Sequence, residues 1–187
     1  MIHDLDATLK ELLVQKVPLD VNAVDVTFDM PNRDWSGRIA RPTINLFLYD
    51  VRENHELRSN QSALVRNGAV GSERRAPVRM DLTYLISAWT TEVSDEHQLL
   101  GRVLTTLLRF PFLPDDVLKG SLASQPLPVQ AWIAQPERTP NPWDFWGNME
   151  NRMKAALNFV LTASFEPSEA QEVRLVTTSI VNVQQSA

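Results

Sequence analysis

The residues in this sequence best suited to acid–base chemistry are three consecutive ones, Asp95, Glu96 and His97. Carboxylates and imidazoles are the usual side chains for proton transfer in catalysis. Adjacent positions on a helix point in different directions, however, and Ser94 before this cluster has the character of a helix N-cap with acids in the first turn. We therefore interpret these residues as the start of a helix, and a small hydrolase using Asp95 and Glu96 remains the alternative from the enzyme class.

Metal and cofactor chemistry has little support in the sequence. The only histidines are His3, His55 and His97, and none has a second histidine at the i+4 spacing of helical metal sites. The absence of cysteine excludes disulfides, thiolate nucleophiles, iron–sulfur clusters and thiolate zinc sites. No glycine-rich phosphate loop or nucleophile elbow is present. The sequence predicts no catalytic, cofactor-binding or metal-binding residue.

Composition is typical of a soluble globular protein. The 187 residues are 43% hydrophobic and 22% charged, and a chain of this length buries roughly 70% of its unfolded surface. The N-terminal residues lack the basic start of a secretory leader, and no apolar run approaches the ~18 residues that span a bilayer. A net charge of −5 disfavours nucleic acid as a partner. We expect a cytosolic protein with no membrane partner.

One segment is basic although the chain as a whole is acidic. Between residues 52 and 79 there are six arginines and three glutamates; the arginines are Arg52, Arg58, Arg66, Arg74, Arg75 and Arg79. The glycines, serines and asparagines of residues 52–77 follow no sustained period, which predicts a long Arg-rich loop. A solvated loop is one interpretation. A docking arm that meets acidic patches on a partner is the other, because arginine is enriched at interfaces.

Hydrophobic periodicity predicts the elements that must position these residues. A one-sided helix is expected over residues 2–13 and a second one over residues 94–108, ended by Pro111. Strands are expected at residues 24–28, 43–51 (central), 78–90, 129–134 (near an edge), 158–165 and 173–183, the last two forming a terminal hairpin. Residues 31–38 should be a loop and residues 142–146 a short helix start. This order predicts a single α+β domain over residues 1–187, with a mixed, mostly antiparallel sheet packed by helices on one face.

Several passages together resemble a known family: DLDATLKELL near the N-terminus, FDMPNRDW at residues 28–35, RPTINLFLYDVRENHELRSN at 41–60, MDLTYLISAW and DEHQLLGRVLTTLLRFP within 80–111, and LNFVLT at 157–162. The sequence is similar to the tail-terminator or cap proteins of extracellular contractile injection systems, the phage-tail-like particles typified by antifeeding prophage and the Photorhabdus virulence cassette. None of these passages is a catalytic signature.

The resemblance implies a structural cap with the fold of phage tail-terminator proteins. Such a protein would form a ring, expected to contain six copies, on the distal end of the inner tube and sheath, and would stop their polymerisation. Its partners would be further copies of itself and the tube and sheath proteins, and it would assemble in the bacterial cytoplasm before becoming part of the particle. A phage-type tail-completion or head–tail adaptor protein is the alternative.

The contacts expected for that role fall in four places. The first is the Arg-rich segment, and the second is the loop that carries Arg33, Trp35 and Arg38. The third is the terminal strand, with Val181 and Val183, because an unpaired edge strand invites strand addition. The fourth is the pair Trp143 and Trp146, which would anchor an interface if exposed, although core packing is the commoner fate of tryptophan.

Overall fold

A computed structural model of the chain describes residues 1–20, 22–59, 62–67, 70–135, 142–150, 153–166 and 171–174. In chain order its elements are α1 (Ile2–Lys16), β1 (Asp25–Thr27), α2 (Arg33–Ser36), β2 (Thr43–Glu53), β3 (Ser62–Asn67), β4 (Val70–Arg75), β5 (Val78–Trp89), α3 (Val93–Leu107), β6 (Gln130–Ile133), α4 (Pro142–Asn148), β7 (Ala156–Phe165) and β8 (Gln171–Arg174). Short 3₁₀ turns occupy His55–Leu57, Asp115–Val117 and Gly120–Ser124. No helix in these ranges is long and apolar enough to cross a membrane.

The main sheet has five strands in the order β1-β2-β5-β7-β6. Strands β1 and β2 are parallel, and every other pair in this sheet is antiparallel. The predicted α+β class with a mixed, mostly antiparallel sheet is therefore confirmed. As expected, β2 is an interior strand, with partners on both sides, and β6 lies at an edge.

One face of the sheet carries the hydrophobic core. Alternate residues of the central strands, among them Leu46, Tyr84 and Phe159, are buried against the apolar stripe of α1 and the inner face of α3. The α1 stripe consists of Leu5, Leu9, Leu12 and Leu13, as its spacing predicted. Full burial of each such side chain contributes roughly 1.5–3 kcal/mol. Both long helices thus pack on the same face.

The other face of the sheet is polar at one end and aromatic at the other. Buried polar side chains from β5 and β7 fill the first part: Arg79, Asp81, Thr83, Thr162 and Ser164. The buried polar residues Ser87 and Asn158 lie at the aromatic end instead. The aromatic part contains Phe47 and Tyr49 of β2, and both rings contact Phe145 of α4. Tyr49 lies on the same face as Phe47 because it is two residues farther along the strand, and its hydroxyl donates to Asn158 Oδ1 at 2.7 Å.

The Arg-rich segment was wrongly predicted to lack regular structure. It contains the 3₁₀ turn after β2 and then the antiparallel pair β3–β4, in which Ser62 lies opposite Arg75 and Asn67 opposite Val70. Strand β8 pairs with β4 and completes a second sheet of order β3-β4-β8. These short, polar strands are stabilised by main-chain ladders, which hydrophobic periodicity does not report. We call β3, β4 and β8 the small sheet.

The predicted terminal hairpin is also wrong. Strand β7 already has β5 on one side and β6 on the other, so neither of its edges can receive the next strand. The chain instead crosses to β4, where Arg174 lies opposite Val70. The remainder of the predicted last strand, with Val181 and Val183, lies outside the described residues.

Helix α1 is also held by polar contacts to the segment that follows α3. The Asp4 carboxylate accepts hydrogen bonds from the hydroxyl (2.6 Å) and the amide (3.2 Å) of Ser121. The buried Thr8 hydroxyl oxygen accepts from the Lys119 amide at 2.9 Å. Gly120 lies between these two contacts with a φ of 54°, so the close approach depends on a residue without a Cβ.

We expect Gly120→Ala to lower the free energy of unfolding by about 2 kcal/mol, because alanine is disfavoured by roughly 1–2 kcal/mol in the left-handed region and its Cβ would lie 2.1 Å from Asp4 Oδ1. Urea unfolding checks this. Gly101→Ala in α3 is the matched control, since its Cβ meets nothing within 4 Å. The control should gain roughly 0.5–1 kcal/mol. Equal effects of the two substitutions would contradict the prediction.

The Asp4 contact should also be visible in the pH dependence of stability. Hydrogen bonds, led by the one from the Ser121 hydroxyl, lower the pKa of Asp4 from 3.8 to about 2. A carboxyl that is more acidic in the folded state stabilises it fully above about pH 4, and this contribution is lost as the pH falls to about 2. Asp4→Asn should therefore be less stable than the wild type at neutral pH, and the difference should shrink over that range. Urea midpoints that differ equally at neutral pH and at about pH 2 would refute this.

Candidate functional site

The loop between β1 and β2 folds over the end of the main sheet. Within it, Asn32 Oδ1 accepts from the Trp35 amide at 2.8 Å and so caps the one-turn helix α2, where the sequence predicted only a loop. This turn places the Trp35 ring edge-on against Trp89, the last residue of β5, with ring centroids 5.3 Å apart. The loop is thereby fixed to the β5 end of the sheet.

A pocket of about 160 Å³ lies between this loop and the end of β5. We call it the Trp89 pocket, and its lining residues are Ser36, Ile39, Ala40, Arg41, Pro42, Trp89, Thr90 and Thr91. Pockets for drug-sized molecules or cofactors are typically ~300–1,000 Å³. The Trp89 pocket is therefore large enough for a single side chain rather than for a cofactor.

The Trp89 ring is held on several sides. Its Nε1 donates to Ser87 Oγ at 2.9 Å, and the Trp146 ring packs against it at a centroid distance of 6.3 Å. The Lys154 ammonium lies 3.7 Å from the ring centroid, in cation–π contact. A tryptophan restrained in this way presents a rigid wall to the pocket.

Lys154 also connects this cluster to α3. Its Nζ lies 2.6 Å from Glu96 Oε1, an oxygen that also accepts from the Thr90 amide at 3.3 Å. Burial lowers the pKa of Lys154, and the hydrogen bond and charge of Glu96 oppose that shift. Glu96 is thus a structural ion-pair partner, which gives the hydrolase alternative no free carboxylate at this position.

The remaining residues of the Asp95–His97 cluster form no site. Helix α3 begins at Val93 with Glu92 at the N-cap position, so Ser94 lies in the first turn and the predicted cap is wrong by two residues. Asp95 and His97 are exposed on that turn. Within the described residues, no three His, Asp or Glu side chains converge as metal ligands would.

The structure sorts the predicted contact residues into three groups. Exposed ones are Arg33, Arg38, Arg52, Arg58 and Arg75, with Trp35 half-buried. Two of them form ion pairs: Arg52 with Asp50 (2.5 Å) and Arg58 with Glu53 (3.4 Å). The side chains of Arg66, Arg74 and Trp143 lie outside the described residues, as do Val181 and Val183.

The third group is buried and corrects the prediction. Trp146 packs between Trp89 and Phe145 and is 3% exposed, so it is a core residue rather than an interface anchor. Arg79 is 5% exposed. It donates to Ser164 Oγ at 2.9 Å and to the Thr162 carbonyl at 3.3 Å, so it cannot contact a partner.

Sequence reasoning did not identify the polar network around Arg79. Asp81, two residues along β5, accepts from Asn54 Nδ2 (3.1 and 3.2 Å) and from the Thr162 hydroxyl at 2.6 Å. Burial lowers the pKa of Arg79, and the Asp81 charge opposes this. Alternation predicts β5 as a strand but does not report that its polar positions are buried, because both faces of the strand are covered.

The two groups of exposed candidate residues lie at opposite ends of the β2–β5 ladder. Thr43 pairs with Trp89 beside the Trp89 pocket, whereas Glu53 pairs with Met80 where the chain leaves for the small sheet. Ten residues of strand separate these ends, a distance of about 33 Å. The protein therefore has a pocket end and a small-sheet end.

Comparison with solved structures shows what this fold is similar to. The sheath/tube terminator of an extracellular contractile injection system, PVC, in the extended state, superposes with a TM-score of 0.76 at 22% identity, covering 100% of this chain and 64% of that one. The tube-terminating cap of the anti-feeding prophage superposes with a TM-score of 0.69 at 24% identity, covering 98% of this chain and 61% of that one. The chain thus spans less than two thirds of either structure.

The sequence comparisons agree. No curated protein sequence matches the chain. A family model described as the Pvc16 N-terminal domain matches residues 4–179, nearly the whole chain. The expected resemblance to the terminators of contractile injection systems is confirmed, and the chain belongs to the Pvc16 N-terminal domain family.

Proposed function

We propose that this protein is a structural cap that ends the tube and sheath of a contractile injection particle and stops their polymerisation. The observation that carries the proposal is the family match over residues 4–179, in a chain whose whole length superposes on a sheath/tube terminator. The role is non-catalytic, and it needs surfaces that replace the contacts of a next layer. The protein would assemble in the cytoplasm and remain in the particle.

A cap of this kind works as a closed ring, and we propose six copies. A ring needs two different complementary surfaces on each copy, because its contacts are heterologous. The small sheet supports this, since β3 and β8 are at its two edges among the described strands and edge strands pair readily with another chain. The arginines of this end, Arg52, Arg58, Arg66, Arg74 and Arg75, are the proposed polar contacts beside those edges.

Particle length is the direct test of the proposal. Particles produced without this gene should have tubes or sheaths of irregular length in electron micrographs, and adding the gene back should restore a uniform length. Native mass spectrometry of the purified protein should show a ring. A monomeric protein whose deletion leaves particle length unchanged would refute the cap function.

A further inference from the structure

Exposed positive charge lies on the loop that lines the Trp89 pocket. Arg33 and Arg38 are exposed on the loop that forms one side of the pocket, and neither forms an ion pair with a carboxylate in the described part of the chain. Within the described ranges, Arg38 Nε donates to the Asp34 carbonyl at 3.2 Å. Arg41 differs, because it pairs with Asp25 at 3.2 Å. Two guanidinium groups therefore remain available to a carboxylate that approaches the pocket.

The pocket itself combines an apolar surface with hydroxyl groups. Ile39, Pro42 and the Trp89 ring supply the apolar part, while Ser36, Thr90 and Thr91 supply hydrogen-bonding groups. An apolar recess surrounded by polar and charged groups is the usual arrangement where one anchor side chain of a partner is buried. Its volume of about 160 Å³ suits one side chain of moderate size.

We infer that the Trp89 pocket binds one apolar side chain carried by an acidic segment of the polymer subunit on which the cap rests. The inference depends on the proposed function and assigns a surface to it. The acidic residues of the segment pair with Arg33 and Arg38, while its apolar side chain packs on Trp89. Electrostatic pairing of this kind also predicts that binding weakens as salt is raised.

The position of the pocket favours the polymer subunit over a second copy of this chain. The pocket lies at one end of the β2–β5 ladder, and the chain leaves for the small sheet at the other end, about 33 Å along the strands. A cap subunit needs one set of contacts to its neighbours in the ring and another to the polymer end. With the ring contacts at the small sheet, the pocket end remains for the polymer.

The test uses purified particles made without this gene, to which purified protein is added. The protein that sediments with the particles is measured across a concentration series. Two variants change the site: Arg33→Glu combined with Arg38→Glu, and Ala40→Leu, which fills the pocket from its exposed lining residue. Two controls lie at exposed positions elsewhere: Arg109→Glu reverses one charge, and Ala7→Leu makes the same enlargement as Ala40→Leu. Thermal unfolding verifies that each variant is folded.

We expect both pocket variants to bind particle ends at least about tenfold more weakly than the wild type, as for loss of a central interface contact. The affinity of the two controls should stay within about twofold of the wild type. Self-association, measured by sedimentation velocity on the same samples, should be unchanged. Wild-type binding by the pocket variants would overturn the inference and leave the cap function standing. Loss of self-association would assign the pocket to a second copy and also overturn it. A wild-type protein that does not bind particles would refute both proposals.

Discussion

Asp81→Ala should lower the free energy of unfolding by about 3 kcal/mol. The substitution removes the acceptor of the Asn54 amide and the Thr162 hydroxyl, and both donors lie in buried side chains. It also removes the negative charge that acts on the buried guanidinium of Arg79. Each unsatisfied buried donor costs roughly 1–3 kcal/mol, and the uncompensated charge adds to this. Urea denaturation measures the change.

Local hydrogen exchange distinguishes loss of the Asp81 network from general destabilisation of the protein. Asn54 binds Asp81 through its amide nitrogen and accepts from the Leu57 amide through Oδ1 at 3.1 Å, which forms the turn that leads to the small sheet. Hydrogen exchange at Leu57 should therefore accelerate in Asp81→Ala. Asp50→Ala, which removes a surface partner of Arg52, is the control and should cost less than about 1 kcal/mol. Similar losses in the two variants would show that the Asp81 network contributes little.

Trp89→Ala should also lower the free energy of unfolding by about 3 kcal/mol. This value is at the lower end of the range for tryptophan truncation, because Trp89 is only half-buried. The substitution removes ring contacts to Trp35 and Trp146 together with the cation–π contact of Lys154. It also removes a wall of the Trp89 pocket. Binding to particle ends should consequently fall under conditions where the variant remains folded.

The matched control for Trp89→Ala is Trp132→Ala. Trp132 lies on the edge strand β6, and 44% of it is exposed, so its truncation should cost less than about 1 kcal/mol. Chemical denaturation followed by circular dichroism compares the two without relying on tryptophan fluorescence. A loss for Trp89→Ala no greater than that for Trp132→Ala would show that the aromatic cluster does not stabilise this end of the sheet.

The Lys154 contact in the cluster around Trp89 also bears on the hydrolase alternative that the sequence left open. Asp95, Glu96 and His97 are adjacent in sequence, which is the only relation that a sequence reports. In the folded chain Glu96 binds Lys154, a residue that precedes β7 and lies 58 positions later. The carboxylate that would have served a hydrolase fixes the helix to the sheet instead.

The sequence by itself determined the helices and strands that a repeating pattern of neighbouring residues specifies. The leucine stripe predicted α1 and alternation predicted β5, because a period of 3.6 or 2 reports which side of one element is buried. The prolines that flank β6 placed it near an edge, because proline cannot donate to a strand ladder. The quoted passages also identified the family, and with it the cap function proposed above. Hydrophobic periodicity thus predicts which side chains are buried when an element packs one face against a single core.

Only the tertiary structure decided which elements are partners. Strand β8 pairs with β4 because β7 has no free edge, Asp81 is buried because both sheet faces are covered, and Trp146 packs on Trp89. Each of these contacts joins residues far apart in the chain, and its energy depends on neighbours that periodicity does not specify. The Trp89 pocket arises in the same way, from a loop and a strand end that meet only in the folded chain.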